Sequence, residues 1–512
     1  MKTKFSMSIS LIFAMMLTTN LSAADTLYVD CTATGTNNGS TWTNAYTSLQ
    51  AALSAAVSGD EIWVANGTYY PSVETGGTGP RYQAFHLISG VAIYGGFAGT
   101  ETAVSQRTDF GNGGTNETIL SGDIGTPNDN SDNCYHVIYD VDPGAGNLSA
   151  DATAILDGFT IAYGNANAGN FVDDSGGGFA NHRGNPTLRN LVFRNNFAAY
   201  YGAGCFCYVS NSNVSNVLFI DNQATYDGGG IFTQYSNGMI LSDLTFISNY
   251  AYRYGSGMTN YYSSPTVYNA VFDSNISQLG GAMSCNNSSP TYINALFVNN
   301  QSSGGTAALT DGGAITSYSS NPTLINATIV NNSTIGNGGA INGSCVLKNC
   351  IIWGNTASLN GNQIYNIGTI TLFASCYSNV AGDVYNTGTF TPDAACITSD
   401  PLLINVTGND FRLFGTSPAV NTGDNSYNAA LYDIRGAVRI QNSTIDMGAY
   451  EWTAGFDPAT TCENPLNGGS ISDNQTICPN SVPATLTSVT LPSASYGGSI
   501  EYMWQSSTTG SS

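Results

Sequence analysis

Asp227 and Arg253 come nearest to a reactive pair in this chain. They stand 26 residues apart, a spacing that recurs through the sequence. Cleaving an acidic polysaccharide by elimination needs a strong base, usually Arg or Lys, beside carboxylates that hold calcium against the uronate. After Lys2 and Lys4 the chain has one lysine, Lys348. The central arginines are Arg183, Arg189, Arg194 and Arg253. Only Arg253 has suitable neighbours in the sequence: Asp227 one repeat earlier, and Tyr252 and Tyr254 beside it. The plain alternative is a solvated arginine on a bend, because isolated charges seldom mark a site.

Hydrolysis of a glycoside would instead need two carboxylates ~5–10 Å apart. Asp221, Asp243 and Asp273 fall at different offsets in their repeats, so they should not converge. Asp173, Asp174 and Asp227 share one bend, but the repeat between them offers Tyr200 and Tyr201. His86, His136 and His182 are the three histidines, and they lack metal-ligand spacing. No resident cofactor is expected, with calcium as the one alternative. The one calcium-like stretch, Asp129-Asn130-Ser131-Asp132, has oxygen ligands but no regular calcium-loop signature, and reads as a surface insertion.

The tyrosines suggest binding. Asp174, Tyr200, Tyr226 and Arg253 recur at one position, and Ser175, Tyr201, Asp227 and Tyr254 at the next. His182, Tyr208, Gln234, Tyr261, Asn286 and Tyr318 make another series, flanked by Arg183, Tyr235 and Tyr262. Tyrosines beside amides and carboxylates suit a sugar or protein ligand. Stacked tyrosines that only stabilise a ladder are the competing reading.

These series follow from a repeat between Gly176 and Asn355. Each of seven copies begins with a glycine pair entering an apolar residue, as in Gly177-Gly178-Phe179 and Gly229-Gly230-Ile231. Each ends on an apolar anchor: Phe193, Phe219, Phe246, Phe272, Phe297, Ile329 and Ile352. Three residues after each anchor stands an asparagine, from Asn196 to Asn355. Three before it stands Asn190, Asn216, Asp243, Asn269, Asn294, Asn326 or Asn349. The anchors are 26, 27, 26, 25, 32 and 23 residues apart. So short a period, with one apolar set per copy, means a solenoid.

The runs are short, β-branched and aromatic, and are broken by Gly, Asn, Ser and Pro, so they are strands. The expected fold is all-β: a right-handed parallel β-helix, each coil ~4.8 Å above the last. Phe anchors stack inside, while Asn and Gly occupy bends that need left-handed backbone. The outward column Val192, Leu218, Thr245, Val271, Leu296, Thr328 and Ile351 is too apolar for an open face. Coverage by another segment is the favoured reading, a contact surface the other.

Residues 1–24 carry a charged start, an apolar middle and Ser22-Ala23-Ala24, as a secretory signal does. The apolar run is too short to span a membrane. Residues 25–455 are assigned to the β-helix. Within it, 25–70 is the N-terminal cap, with a short helix over Thr47–Ala56. The regular coils run from 156 to 355, and 396–455 is a C-terminal cap. Residues 456–512 read as the start of an Ig-like β-sandwich, with Trp504 in its core. The chain has 12 basic and 34 acidic residues, net −22, which argues against nucleic acid and anionic membranes as partners. Eleven cysteines in an exported chain invite disulfides. Cys350 and Cys376, one period apart, are candidates to bridge, as are Cys462 and Cys478. Cys205 and Cys207 read as buried thiols.

The glycine–glycine–apolar half and the Phe-x-x-Asn half resemble the repeats of chlamydial-type polymorphic outer membrane proteins, within the pectin-lyase-like β-helix superfamily. Asp400–Glu451 is similar to the C-terminal portion of choice-of-anchor Q proteins, and Gly59–Tyr69 fits that group. The resemblance implies a secreted or surface-exposed bacterial protein, on the outer membrane or its extracellular face. Surface-anchoring machinery would engage any longer C-terminus. The superfamily holds lyases, hydrolases and adhesins alike, so the fold does not choose among them. The reading carried forward is an adhesin-like, non-catalytic binder of glycan or of a host or cell-surface protein. A polysaccharide lyase or glycoside hydrolase using Asp227 and Arg253, and a structural spacer, are its alternatives.

Overall fold

The computed structural model describes residues 25–141, 149–303 and 311–454, and two short strands at Ser470–Ile471 and Ser488–Thr490 that pair antiparallel. The secretory signal, the Cys462–Cys478 pairing and nearly all of the expected Ig-like module lie outside the described residues.

The described chain winds into three long parallel sheets. The first carries the anchors: Phe193 pairs with Phe219, then Phe246, Phe272, Phe297, Ile329 and Ile352, each in register with the next. The five phenylalanine rings stack at 4.6–5.1 Å, tilted by 5–11°. The second sheet runs from Ile138–Val141 to Val384–Asn386, and the third from Asn165–Ala166 to Thr356–Ala357. This is a parallel β-helix, consistent with the expected right-handed winding.

Each bend has its own backbone solution. Asn190, Asn216, Asp243, Asn269, Asn294, Asn326 and Asn349 all take φ of 52–57°. This kinks each long strand before its anchor, and asparagine or aspartate tolerates the conformation. The asparagine after each anchor does different work. Asn222 accepts from the backbone N–H and the amide of Asn196, and its own amide donates to Phe193 O and Asn249 Oδ1. The pattern repeats through Asn249, Asn275, Asn300, Asn332 and Asn355, and ends on Gln363. Every rung of this buried ladder satisfies a backbone donor that the bend would otherwise orphan.

A second ladder was not expected. Ser210, Ser236, Ser263 and Ser288 each donate a backbone N–H to the next serine's hydroxyl, ending at Ser320. The residues just before these serines are Val209, Tyr235, Tyr262, Asn287 and Ser319, all at φ of 47–53°. Valine and tyrosine are strained in that region.

The N-terminal helix forms as Leu49–Ala55, burying Leu49, Ala52 and Leu53 against the first coils. The segment expected to cap the C-terminal end is placed differently: residues 403–451 lie along the side of the first sheet. Arg439 and Tyr432 reach Asn294, Asp446 O accepts from Asn326, Ala449 N donates to Thr328, and Asp424 pairs with Asn349. Phe411, Leu413, Ala419 and Met447 bury Leu296, Ile351 and Val330. The apolar outward column is therefore covered over its last three coils, while Leu218, Thr245 and Val271 stay half-buried.

The Cys350–Cys376 bridge is absent, and both thiols are free. Cys350 stands opposite Ser375, and Cys376 opposite Ile351. That coil is one residue shorter than the 26 separating the two cysteines, and a one-residue offset moves a side chain to the other face of a strand. Cys350 faces the interior, and Cys376 packs under the lateral segment. Cys205 and Cys207 are buried free thiols with sulfurs 3.5 Å apart.

Candidate functional site

The second sheet positions the site. In Ile231–Gln234, Met258–Tyr261 and Met283–Asn286, the first and third side chains enter the core. The second and fourth face outward: Phe232, Thr259 and Ser284, then Gln234, Tyr261 and Asn286, each series in register. The glycine bend before each strand supplies a wall. Tyr201 pairs with Asp227, and the backbones of Asp227 and Tyr254 follow one rung apart. Strands and bend enclose a groove of about 380 Å³, lined also by Phe171, Arg253 and Tyr318. The volume is within the range of small-ligand sites.

One ion pair crosses the wall. Arg253 Nε donates to Asp227 Oδ1 at 3.1 Å and Nη2 to Oδ2 at 2.6 Å, while Tyr254 N–H donates to Oδ1 at 3.1 Å. The guanidinium lies 4.6 Å from the centre of the Tyr226 ring. Burial pushes the Asp227 carboxyl above the usual carboxylate range despite Arg253. For Arg253 burial acts to lower its pKa, but the hydrogen bonds and charge of Asp227 outweigh it and leave it raised. Burial, then the Asp227 charge, raises the Tyr201 hydroxyl.

Aromatic rings make the floor. Tyr201 stacks on Phe232 at 4.5 Å, Phe232 on Tyr261 at 6.3 Å, and Phe171 meets Tyr201 edge-on at 5.9 Å. At the far end Tyr254 meets Tyr318 edge-on at 5.4 Å, and the Tyr318 hydroxyl donates to Asp311 at 2.9 Å. Burial raises the pKa of both Asp311 and Tyr318.

Asp311 was not singled out from the sequence. It continues the Tyr201–Asp227–Tyr254 column through Gly280. Three rungs separate Asp227 from Asp311, ~14 Å along the axis, beyond the range of a glycosidase carboxylate pair. Asp227 is the one carboxylate among the described residues lining the groove.

The other sequence candidates fall in two places. Tyr200, Tyr226 and Arg253 succeed one another on the bend, with the two tyrosine rings 5.0 Å apart. Tyr208 ends its strand one rung before Gln234, and Tyr235 and Tyr262 sit on the next bend; all three lie beyond the groove lining. Tyr235 and Tyr262 stack at 5.3 Å and are 47% and 40% exposed. Arg189 and Arg194, given no partners from the sequence, pair with Asp157 at 2.6 Å and Glu117 at 3.1 Å. Glu117 lies in an early, irregular coil, and Asp157 opens the regular coils one rung before Arg189, ahead of the seven copies that mark the repeat.

His136 and His182, far apart in sequence, both lie near the start of the groove. His136 Nε2 is 3.8 Å from Asp173, and its Nδ1 is 2.9 Å from Gly176 O. His182 packs on Phe206 and Tyr208, and burial, aided by its neighbours His136 and Arg183, pushes it down to about 4. In the calcium-like loop, Asp129 accepts from Ser131 N and Asp132 from Thr126 N, so both carboxylates hold turns. Among the described residues no three His, Cys, Asp or Glu side chains gather as metal ligands, and no helix is long and apolar enough to cross a membrane.

No protein-family model and no curated protein matches the chain. Among solved structures it is similar to one described as the crystal structure of pectate lyase Pel9A, at 13% identity and a TM-score of 0.33. That match covers 85% of this chain and 98% of the other. The assignment as a parallel β-helix rests on the strand pairing itself.

Proposed function

We propose that this is a secreted or cell-surface β-helix, adhesin-like, that binds a glycan or a protein along its lateral face without catalysis. The groove over Tyr201, Phe232 and Tyr261 is the binding site. One observation carries the reading: aromatic rings, amides and hydroxyls converge in a concave site where, among the described lining residues, the single carboxylate is bound by the only arginine. Stacking rings beside hydrogen-bonding groups suit a sugar or an extended peptide. An acid with no second carboxylate in reach, and a guanidinium engaged by that acid, do not suit bond cleavage. The resemblance of the repeats to polymorphic outer membrane proteins, and of Asp400–Glu451 to choice-of-anchor Q proteins, supports display outside the cell.

A broad glycan array probed with the full chain tests this, alongside a Tyr201→Ala, Tyr261→Ala variant. Binding by the wild type, weakened tenfold or more in the variant, is the expected result. Silence on the array and on a panel of host surface proteins would favour a structural spacer. Release of unsaturated uronides, lost in an Asp227→Asn, Arg253→Gln variant, would make the protein a lyase.

A further inference from the structure

The groove's charge balance narrows the ligand. We infer that it takes an uncharged oligosaccharide rather than a uronate or other acidic glycan; this rests on the binding reading above.

An acidic sugar needs a free cation, and this groove has none to offer. Arg253 is the only basic residue among the described residues that line it, and Asp227 holds it through two parallel hydrogen bonds of 3.1 and 2.6 Å. Such a fork-to-fork pair uses the geometry with which arginine would grip a ligand carboxylate. A uronate drawn to Arg253 would have to displace Asp227 or lie against it. Displacement leaves a side chain that is 7% exposed without its counter-ion, a costly state. Calcium bridging fares no better, because Asp227 is the one carboxylate among the described lining residues and calcium is normally held by six to eight oxygens. At longer range the chain's net charge of −22 repels polyanions.

Everything else in the groove suits neutral hydroxyls. Gln234, Asn286 and Ser284 offer both donors and acceptors, and Thr259, whose hydroxyl donates to Tyr254 O, offers an acceptor. Phe171, 44% exposed, and Tyr201 offer rings for the apolar faces of sugars. The lining extends from the coil of Phe232 to that of Tyr318, three rungs or ~14 Å, which favours a chain over a single sugar.

Calorimetry with the full chain separates the ligand classes, using cellohexaose, xylohexaose and mannohexaose against hexagalacturonate with and without calcium. At least one neutral hexasaccharide should bind, with affinity changing less than twofold between 20 and 500 mM NaCl. Phe171→Ala, at an exposed position that spares the fold, should weaken that binding tenfold or more. Hexagalacturonate should not bind the wild type, but should gain binding in Asp227→Asn, where Arg253 is freed. Wild-type binding of hexagalacturonate that Phe171→Ala weakens would overturn the inference and leave the groove as a glycan site. Failure of every saccharide here and on the array would overturn the glycan reading itself.

Discussion

Asn249 donates both its backbone N–H and its side-chain amide to one atom, Asn275 Oδ1, each at 3.0 Å. Its own Oδ1 receives the same two donors from Asn222, and its amide also reaches Phe219 O at 2.8 Å. One side chain thus holds three coils.

Replacing Asn249 with alanine should therefore cost roughly 3 kcal/mol, since it strands a buried backbone N–H and an amide of Asn222. Asn249→Asp should be worse at pH 7, because aspartate sets an acceptor against Asn275 Oδ1 and Phe219 O. Burial would raise that aspartate's folded pKa above its unfolded one. The variant is then most stable below the unfolded pKa and loses stability as pH rises through the folded value. Urea unfolding of the full chain at pH 4 and pH 7 checks both, and an Asp variant as stable as wild type at pH 7 would refute the account.

The anchors and this ladder were legible because residue type and spacing change together, and each copy restates the last. The groove columns were legible for the same reason: Tyr201, Asp227 and Tyr254 hold one position in consecutive bends. Asp311 was hidden by the long interval between Phe297 and Ile329, which shifts it off the count. The serine ladder was missed because serine is common in every bend and marks none. The apolar outward column signalled that a segment covers it, but not how, since Arg439 and Asn294 meet across 145 residues without any repeat. Cys376 misled because a spacing of 26 matched the average period rather than the coil it belongs to.

The strained bend makes a second test. Tyr262 holds φ of 47° and is 40% exposed. Asparagine accepts that backbone more readily than tyrosine. Tyr262→Asn should stabilise the full chain by about 1 kcal/mol in urea unfolding, even after loss of the 5.3 Å stack on Tyr235. A marked loss of stability would show that ring stacking, rather than the backbone, sets the balance at this bend.

The free thiols give a third. Cys350 and Cys376 are buried on opposite faces of their strands, and burial raises both thiols to about 12. Few thiolates form at neutral pH, and the nucleophile is the thiolate. Peptide mapping under non-reducing conditions should find both unpaired. Maleimide should label them only after denaturation, and a Cys350–Cys376 disulfide peptide would contradict the register.

The lateral segment should respond to pH, and the sign follows from its buried charges. Glu451, 1% exposed, lies 3.6 Å from Arg439, which is itself fully buried. Asp446 and Asp433 crowd the same arginine, with Glu451 accepting from Asp446 N and donating its own N–H to Asp433. From the coils this cluster meets Asn294, a neutral amide bound to Arg439 at 2.8 Å. Three acids thus share one cation, and burial, with the Asp446 charge, pushes Glu451 up to about 8 from an ordinary 4.5. Burial also raises Asp446. The folded segment therefore holds protons that the released segment gives up. Its docking is firmest below the unfolded values, weakens as pH climbs from about 4.5, and has lost this contribution above about 8. Hydrogen exchange corrected for intrinsic rates should show the amides of 445–451 opening more than ~tenfold faster at pH 9 than at pH 6, while the Phe246 coil stays protected. Glu451→Gln, which cannot ionise, should flatten most of that dependence. Equal steepness in the variant would assign the response to other groups.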